Sequence, residues 1–278
     1  MTDMVLIHGA WLSARSWENF ADYFKQLGYD VETPEWPRKH GDVEELRENA
    51  EELAGLGLAE IVDHYDALIR GRDPQPVLVG HSFGGLIVQL LLDRGLGAAG
   101  VALDPAPPKG ATYLLEPSTL KAASPAIAHP LKLHGVVTLT FEQFKYGFTN
   151  TWDEADAKAA FERYAVPETG RIFFQDGLAN FAWHSPAALD YGKSDRAPLL
   201  ITAGEHDHTV PPKTARANFE KYGKSGAVTD FVEFPGRSHL LVVGDGWEEV
   251  ASTVADWVGK VVAGAPRSAS LAAADRAE

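Results

Sequence analysis

The stretch Pro76-Val77-Leu78-Val79-Gly80-His81-Ser82-Phe83-Gly84-Gly85-Leu86-Ile87-Val88 decides the fold. Pro76 to Val79 is a short, strongly β-forming apolar run. Leu86 to Leu92 is an almost wholly apolar run without a charge. The first has the make-up of a buried strand and the second that of a buried helix. Between them, Gly80-His81-Ser82-Phe83-Gly84 fits the pattern glycine-x-serine-x-glycine, in which a sharp strand-to-helix turn lifts a serine hydroxyl out of the sheet. The flanking glycines leave room for a tight backbone, and the start of the helix offers free N–H groups to an anion. Composition alone yields such a pattern roughly 0.1 times in a chain of this make-up. Its weight therefore comes from the strand before it and the helix after it.

Outward from this point the chain alternates strand and helix patterns. Val5 to Ile7 reads as a buried strand broken by His8-Gly9. Trp17, Phe20, Phe24 and Leu27 mark one face of a helix, and Asp30 to Thr33 a short strand. Leu58, Ile61, Val62, Tyr65, Leu68 and Ile69 outline a second amphipathic helix. Gly100 to Leu103, Leu199 to Ala203 and Asp230 to Phe234 are further strands. Helices are predicted near Ala215 to Tyr222 and from Trp247 to Val262. Strands alternating with helices imply an α/β architecture, a mostly parallel sheet flanked by helices.

Residues 105–190 interrupt the alternation. They open on Pro105, Pro107 and Pro108, and the span Tyr113 to Trp183 holds twelve of the 28 aromatic residues. An aromatic insertion of this length between two strands reads as a lid over a site, with its own small core. The expected organisation is a core of residues 1–104 and 191–263, a lid at 105–190, and a disordered, alanine-rich tail at 264–278.

The 278 residues carry 25 Lys and Arg against 39 Asp and Glu, a net charge of −14. Such a surface repels nucleic-acid phosphates and anionic membranes. With no cysteine, disulfides, thiol nucleophiles, thiolate zinc sites and iron–sulfur clusters are excluded. No segment reaches about 18 consecutive apolar residues. Met1 to Met4 lacks the basic start of a secretory signal, so the expected location is the cytoplasm.

A serine hydroxyl needs a base. Among ten histidines, His239 in Gly236-Arg237-Ser238-His239 follows the last strand and precedes the last helix. That puts it at the strand-end edge where Ser82 also lies. His81 should point away from its neighbour Ser82, and His8 reads as a support for the first loop. The base in turn needs an acid to fix its tautomer. Asp207, after the strand Leu199 to Ala203, is the first candidate and Asp104, after the preceding core strand, the second. Glu205 stands too near its strand end. The run His206-Asp207-His208 has no further spaced ligands, so no metal site is expected.

The order Ser82, Asp207, His239 is the order of the α/β-hydrolase triad, and residues 4 to 262 resemble that superfamily. Val5-Leu6-Ile7-His8-Gly9-Ala10-Trp11 looks like its oxyanion strand and loop, and Asp207-His208-Thr209-Val210-Pro211 like the loop carrying its acid. The chain is most similar to the compact plant-esterase and hydroxynitrile-lyase type and its bacterial relatives. The resemblance implies an α/β-hydrolase fold with a helical lid before the last two strands, and an oxyanion hole formed by the N–H groups of Ala10 and Phe83. The triad chemistry is acyl transfer to water and needs no cofactor, and the aromatic residues of the insertion suggest a small to medium, apolar or aromatic carboxylic ester or a lactone as the substrate. Trp11, Phe144, Phe181 and Trp183 are the candidates for the substrate pocket. Two other functions are a lyase on the same triad and a non-catalytic receptor. Against the lyase, the similar lyases carry Thr at the position of Gly9 and Lys at that of Leu240. An intact triad speaks against the receptor.

Overall fold

The computed structural model describes residues 2–111, 116–128 and 130–266. Six strands form the main sheet: β1 (Asp3–Ile7), β2 (Asp30–Glu32), β3 (Val77–His81), β4 (Ala99–Leu103), β7 (Leu199–Gly204) and β8 (Thr229–Phe234). Their order is β2-β1-β3-β4-β7-β8, and every neighbouring pair is parallel. A second sheet pairs β5 (Val136–Val137) with β6 (Glu168–Thr169), antiparallel. The central strands β3, β4 and β7 are buried at every residue. A sheet covered on both faces requires such continuous apolar runs.

Helices α1 (Glu18–Leu27), α2 (Val43–Glu48), α3 (Leu58–Ile69), α4 (Phe83–Asp93), α9 (Pro212–Lys221) and α10 (Trp247–Val261) flank the sheet or its rim. Helix α1 buries Phe20, Ala21 and Phe24 and packs on α10, whose buried face carries Val250, Val254 and Val258. Its end at Gly28 adopts φ 99°, the left-handed conformation that glycine adopts freely. Helix α4 packs on β3 and β4, and α3 packs on α4. Asn218 of α9 donates to Gln89 of α4 at 2.9 Å, a polar bridge within an otherwise apolar layer.

Between β4 and β7 lie α5 (Pro117–Ile127), α6 (Phe141–Phe148), α7 (Glu154–Tyr164) and α8 (Arg171–Gly177), with β5 and β6 among them. Phe144, on α6, stacks on Phe148 at 4.9 Å and meets Phe161 of α7 at 5.5 Å. These rings belong to one apolar cluster with the core around the sheet, and part of the aromatic content of the insertion is spent there.

The expected tail begins earlier than the described chain ends. Tyr29 donates to the carbonyl of Pro266 at 2.6 Å, which ties 264–266 to the body. Residues 267–278 lie outside the described residues.

The turn after β3 leaves no space for side chains. A Cβ on Gly84 would collide with the carbonyl oxygen of Ile7 in β1, and one on Gly80 with that of Gly84. Both obstacles are backbone and cannot rotate away. Gly84→Ala is expected to lower unfolding stability by about 3 kcal/mol or more. Gly71→Ala, where an added Cβ meets nothing within 4 Å, should stay within about 0.5 kcal/mol. Urea midpoints of the two variants check the contrast.

Candidate active site

The sheet order lays the site out along one edge. The loops after β1, β3, β4, β7 and β8 carry Ala10, Ser82, Asp104, Asp207 and His239, and these five strands are consecutive neighbours. Adjacent strands are about 4.8 Å apart, so residues far apart in sequence converge.

Ser82 stands between β3 and α4 with φ 55° and ψ −119°. This left-handed backbone is unfavourable for a residue with a side chain, and such strain persists only where the surroundings fix it. Its own N–H donates to the carbonyl of Leu103 at 2.9 Å. Its carbonyl accepts from Leu86 at 3.2 Å and from Ala106 at 3.1 Å. The serine is 5% exposed.

His239 is fully buried. Its Nδ1 lies 2.6 Å from Oδ2 of Asp207. The other carboxylate oxygen, Oδ1, accepts from the N–H groups of Thr209 at 2.7 Å and Val210 at 2.8 Å. The second ring nitrogen, Nε2, is out of solvent and has no partner among the described residues. The imidazole is therefore anchored on one side and free on the other. Phe148 packs edge-on against its ring at 5.1 Å. The backbone carbonyl of His239 lies 2.8 Å from Nε2 of His81. Burial, with the nearby His239 as the next cause, holds His81 well below the ordinary histidine range. Rather than merely pointing away from Ser82, His81 ties the serine turn to the His239 loop.

Asp104 proves to be neither a distant alternative nor a replacement for Asp207. It adopts φ 45°, is fully buried, and hydrogen-bonds Asp207. One oxygen of each carboxyl and a ring nitrogen of His239 lie within 4.8 Å of one another. Asp104 also accepts from the Gly204 N–H at 3.0 Å and from the Thr202 hydroxyl at 3.2 Å. Burial raises both carboxyls. The negative charge of Asp207 raises Asp104 further, whereas Asp207 is pulled back by its bonds from Asp104, Val210 and Thr209. Two buried carboxyls in contact cannot both ionise. Asp104 keeps the proton and donates it to Asp207, which leaves the charge beside the imidazole.

The other candidates resolve as follows. His8 lies 3.0 Å from Glu35, stacks on Trp36, and accepts from the Trp36 N–H at 3.4 Å, a support for its loop. His206 is exposed. His208 Nδ1 meets the Tyr146 carbonyl at 3.0 Å, so the two histidines beside Asp207 do not converge with it. Glu205 is exposed and accepts from the N–H of Gly236.

The amides of Ala10 and Phe83 make no loop or turn hydrogen bond among the described residues. Between them and the insertion, the Ala10–Leu12 loop is clamped. Trp11 has φ 59°; its N–H donates to Glu168 at 3.3 Å, its indole to the Val137 carbonyl at 3.1 Å, and its own carbonyl accepts from Val166 at 2.9 Å. Lys39 lies 2.8 Å from Glu168 and 2.7 Å from the Leu12 carbonyl, a fully buried ion pair behind the loop. Sequence alone did not reveal this pair, because 129 residues separate its members.

A cavity of about 60 Å³ adjoins Ser82, roofed by α5 and α8. By volume it has room for roughly four waters. Trp11 and Phe173 line it, stacked at 4.2 Å, as does Phe83, edge-on to Phe173 at 5.3 Å. Of the four pocket candidates, Trp11 is in place and three are not. Phe144 is 0% exposed inside the apolar cluster. Phe181 and Trp183 are 81% and 90% exposed on the surface of the insertion. Asp176 is the unexpected wall residue. Burial pushes its carboxyl up to about 7. A larger cleft of about 540 Å³ lies behind the His239 loop, between Arg163 and Arg237. Both guanidiniums are occupied, by Glu18 and Glu249.

Residues 4–253 match the Alpha/beta hydrolase family. The chain belongs to that family. Solved structures share its fold across nearly the whole chain. A monoacylglycerol lipase from Paleococcus ferrophilus is 20% identical, with TM-score 0.62 over 92% of this chain and 93% of its own. An extracellular alpha/beta-hydrolase from a Paenibacillus species, described as sharing structural and functional homology with tobacco salicylic acid binding protein 2, is 20% identical. It has TM-score 0.62, with 96% of this chain and 100% of its own covered. Tomato methylketone synthase I, complexed with 2-tridecanone, is 14% identical, with TM-score 0.68 over 94% and 98%. The sequence matches no curated protein. None of the helices among the described residues is long and apolar enough to cross a membrane.

Two outcomes are expected. Burial pushes His239 down to about 4. Only a neutral imidazole accepts a proton. Hydrolase turnover should therefore be level above about pH 6 and fall on acidification below about pH 5. A limb near 7 in kcat/KM would show that the ring is not desolvated. Asp104→Asn keeps a donor toward Asp207 and should retain activity within about threefold, whereas Asp104→Leu should lose about 10- to 100-fold. If Asp104→Asn is the inactive variant and Asp207→Asn the active one, the acid is Asp104.

Proposed function

We propose that this chain is a serine esterase that cleaves small to medium, apolar or aromatic carboxylic esters, or lactones, through an acyl-enzyme. The observation that carries this reading is the His239–Asp207 bond of 2.6 Å. Its opposite ring nitrogen is left buried and unpartnered, and Ser82 sits on a strained turn at the same sheet edge. In the proposed reaction the Ser82 hydroxyl attacks the carbonyl carbon while Nε2 of His239 takes its proton. Asp207 holds the ring through Nδ1 and stabilises the imidazolium. The oxyanion rests on the N–H groups of Ala10 and Phe83, a pair of fixed donors of the kind whose loss costs about 10²–10³ in rate. His239 then protonates the departing alcohol. A water, deprotonated by the same nitrogen, attacks the acyl-serine, and the proton returns to Ser82 as the acid leaves.

The walls support a small, apolar acyl or alcohol group, since Trp11, Phe83 and Phe173 form them. Hydrolysis is favoured over lyase chemistry by two positions. A Cβ on Gly9 would stand 2.9 Å from that of Ser82 and 3.0 Å from the His81 carbonyl, so no threonine fits there. Leu240 is fully buried in the apolar cluster and carries no acid–base group. The net charge of −14 fits a small-molecule partner rather than nucleic acid or an anionic membrane. A cytoplasmic location is part of the same proposal.

The test is a series of p-nitrophenyl esters of rising chain length, beside lactone and amide substrates, with a fluorophosphonate probe. Short esters should turn over and the probe should label Ser82. Ser82→Ala should keep its melting temperature and lose about 10⁵-fold or more in kcat. An unlabelled serine together with no ester turnover would leave a ligand receptor on a hydrolase fold.

A further inference from the structure

Two polar side chains line the cavity beside Ser82 without a bond that ties them into the described fold. Thr119 of α5 and Asp176 of α8 both belong to the wall of an otherwise largely apolar chamber. The hydroxyl oxygen of Thr119 and Oδ1 of Asp176 are both shut off from solvent and have no hydrogen-bond partner among the described residues. Thr209, in the same wall, makes the contrast. Its hydroxyl is spent on the Gly147 carbonyl at 2.7 Å.

Asp176 caps no helix start: its own helix begins at Arg171 after Gly170, and it is the Asp176 backbone carbonyl, not the carboxyl, that accepts from Leu178 and Ala179. No lysine, arginine or histidine contributes to its titration, which burial alone shifts. The Tyr191 phenol is the titratable group that senses it. A carboxyl oxygen left unpaired in an apolar wall is a standing cost to folding, and none of the described residues offsets it. Phe173 lies three residues earlier on α8, so both side chains come off the same helical face. Phe173 fixes that face against Trp11 and Phe83, the two residues that frame the proposed oxyanion hole.

We propose that Asp176 and Thr119 form a polar subsite that selects esters carrying a hydrogen-bond donor, a hydroxyl or a protonated amine, on the group seated beside Ser82. The proposal rests on the serine-esterase reading and names its substrate class. Asp176 is a specificity-determining residue: its Oδ1 accepts from the donor, and the Thr119 hydroxyl completes the contact. A plain alkyl ester leaves both groups unpaired in the complex. A site built to bond a donor discriminates against the analogue that lacks it.

The experiment compares matched esters that differ by one donor. On the acyl side these are p-nitrophenyl butyrate, 3-hydroxybutyrate and 3-aminobutyrate; on the alcohol side, propyl and 3-hydroxypropyl acetate. Each kcat/KM is corrected for the ester's own rate with hydroxide. The wild-type enzyme is expected to prefer a donor-bearing ester by roughly tenfold or more in at least one series. Asp176→Leu should bring that ratio to about 1, and Asp176→Asn, whose amide oxygen still accepts, should keep the preference for the hydroxyl and lose that for the ammonium. Melting temperatures separate a lost subsite from a lost fold. If Asp176→Leu does not fold, the wild-type ratio and the Asn variant still decide. Turnover of all esters at equal corrected rates overturns the subsite and leaves the esterase standing. A preference that survives in Asp176→Leu also overturns it. No turnover of any ester, with no probe on Ser82, overturns the esterase reading and the subsite with it.

Discussion

The structure depends on how closely three pieces of backbone approach at the turn after β3. Gly84 brings α4 onto the Ile7 carbonyl of β1, Gly80 lets the turn close on itself, and Gly9 lies against the Cβ of Ser82. Any side chain at these positions would push the helix, the first loop and the serine apart. The serine's left-handed backbone costs on the order of 1–3 kcal/mol. It is held by the burial of α4, nearly every residue of which is out of solvent. Strain at the turn and the apolar character of the helix behind it are thus two sides of one constraint. The helix must be buried all round because it anchors a turn that would otherwise relax.

Once that turn is fixed, the sheet order does the rest. β3, β4, β7 and β8 stand side by side, so the loops that follow them present a serine, two carboxyls and an imidazole in spatial sequence. Asp104 is beside Asp207 because β4 is beside β7, not because the two are close in the chain. The consequence is electrostatic. One buried carboxyl beside a buried histidine would gain from sharing its charge with a donor, and Asp104 supplies that donor at a place where water does not reach. The first loop is held from the opposite side by the insertion, through Glu168, Val137 and Val166. The ion pair with Lys39 fixes Glu168 itself.

The alternation of buried strands and helices was legible because each element is one apolar run or one amphipathic stripe. The residues chosen for the helix over 58–69 and the strand over 230–234 match α3 and β8 closely. The proposed triad was legible for a related reason: each member follows a strand that could be read. What could not be read were relations across the chain. The pairing of Asp104 with Asp207 needs the strand order, and that of Lys39 with Glu168 needs the insertion's path. β5 and β6, two residues each, leave no periodic trace. The aromatic residues of the insertion were read by composition, which says that a core exists but not which face each ring takes. Phe144 went into that core, Phe181 and Trp183 to the surface, and Phe173 to the cavity. The one signal for Asp176 was a lone carboxyl one helical turn after Phe173, and it acquires meaning only when Phe173 is known to face inward.

The insertion therefore cannot be treated as a cover that moves independently of the chemistry. Its β6 end bonds the Trp11 loop, while α5 and α8 roof the cavity. Lifting the β6 end would separate Glu168 from Lys39 in a place where neither is exposed. Breaking a buried pair leaves an uncompensated charge and costs about 3–5 kcal/mol. It would also release the loop that carries the Ala10 amide. Among the described residues no buried ion pair ties the α5 side, which packs on α6 and α8 through residues such as Ala122 and Ala126. It meets the rim through contacts such as the exposed Lys213–Glu116 pair at 3.0 Å, and exposed pairs of this kind are worth about 0–1 kcal/mol. The β6 edge of the roof is therefore the one that cannot lift without also releasing the proposed oxyanion loop.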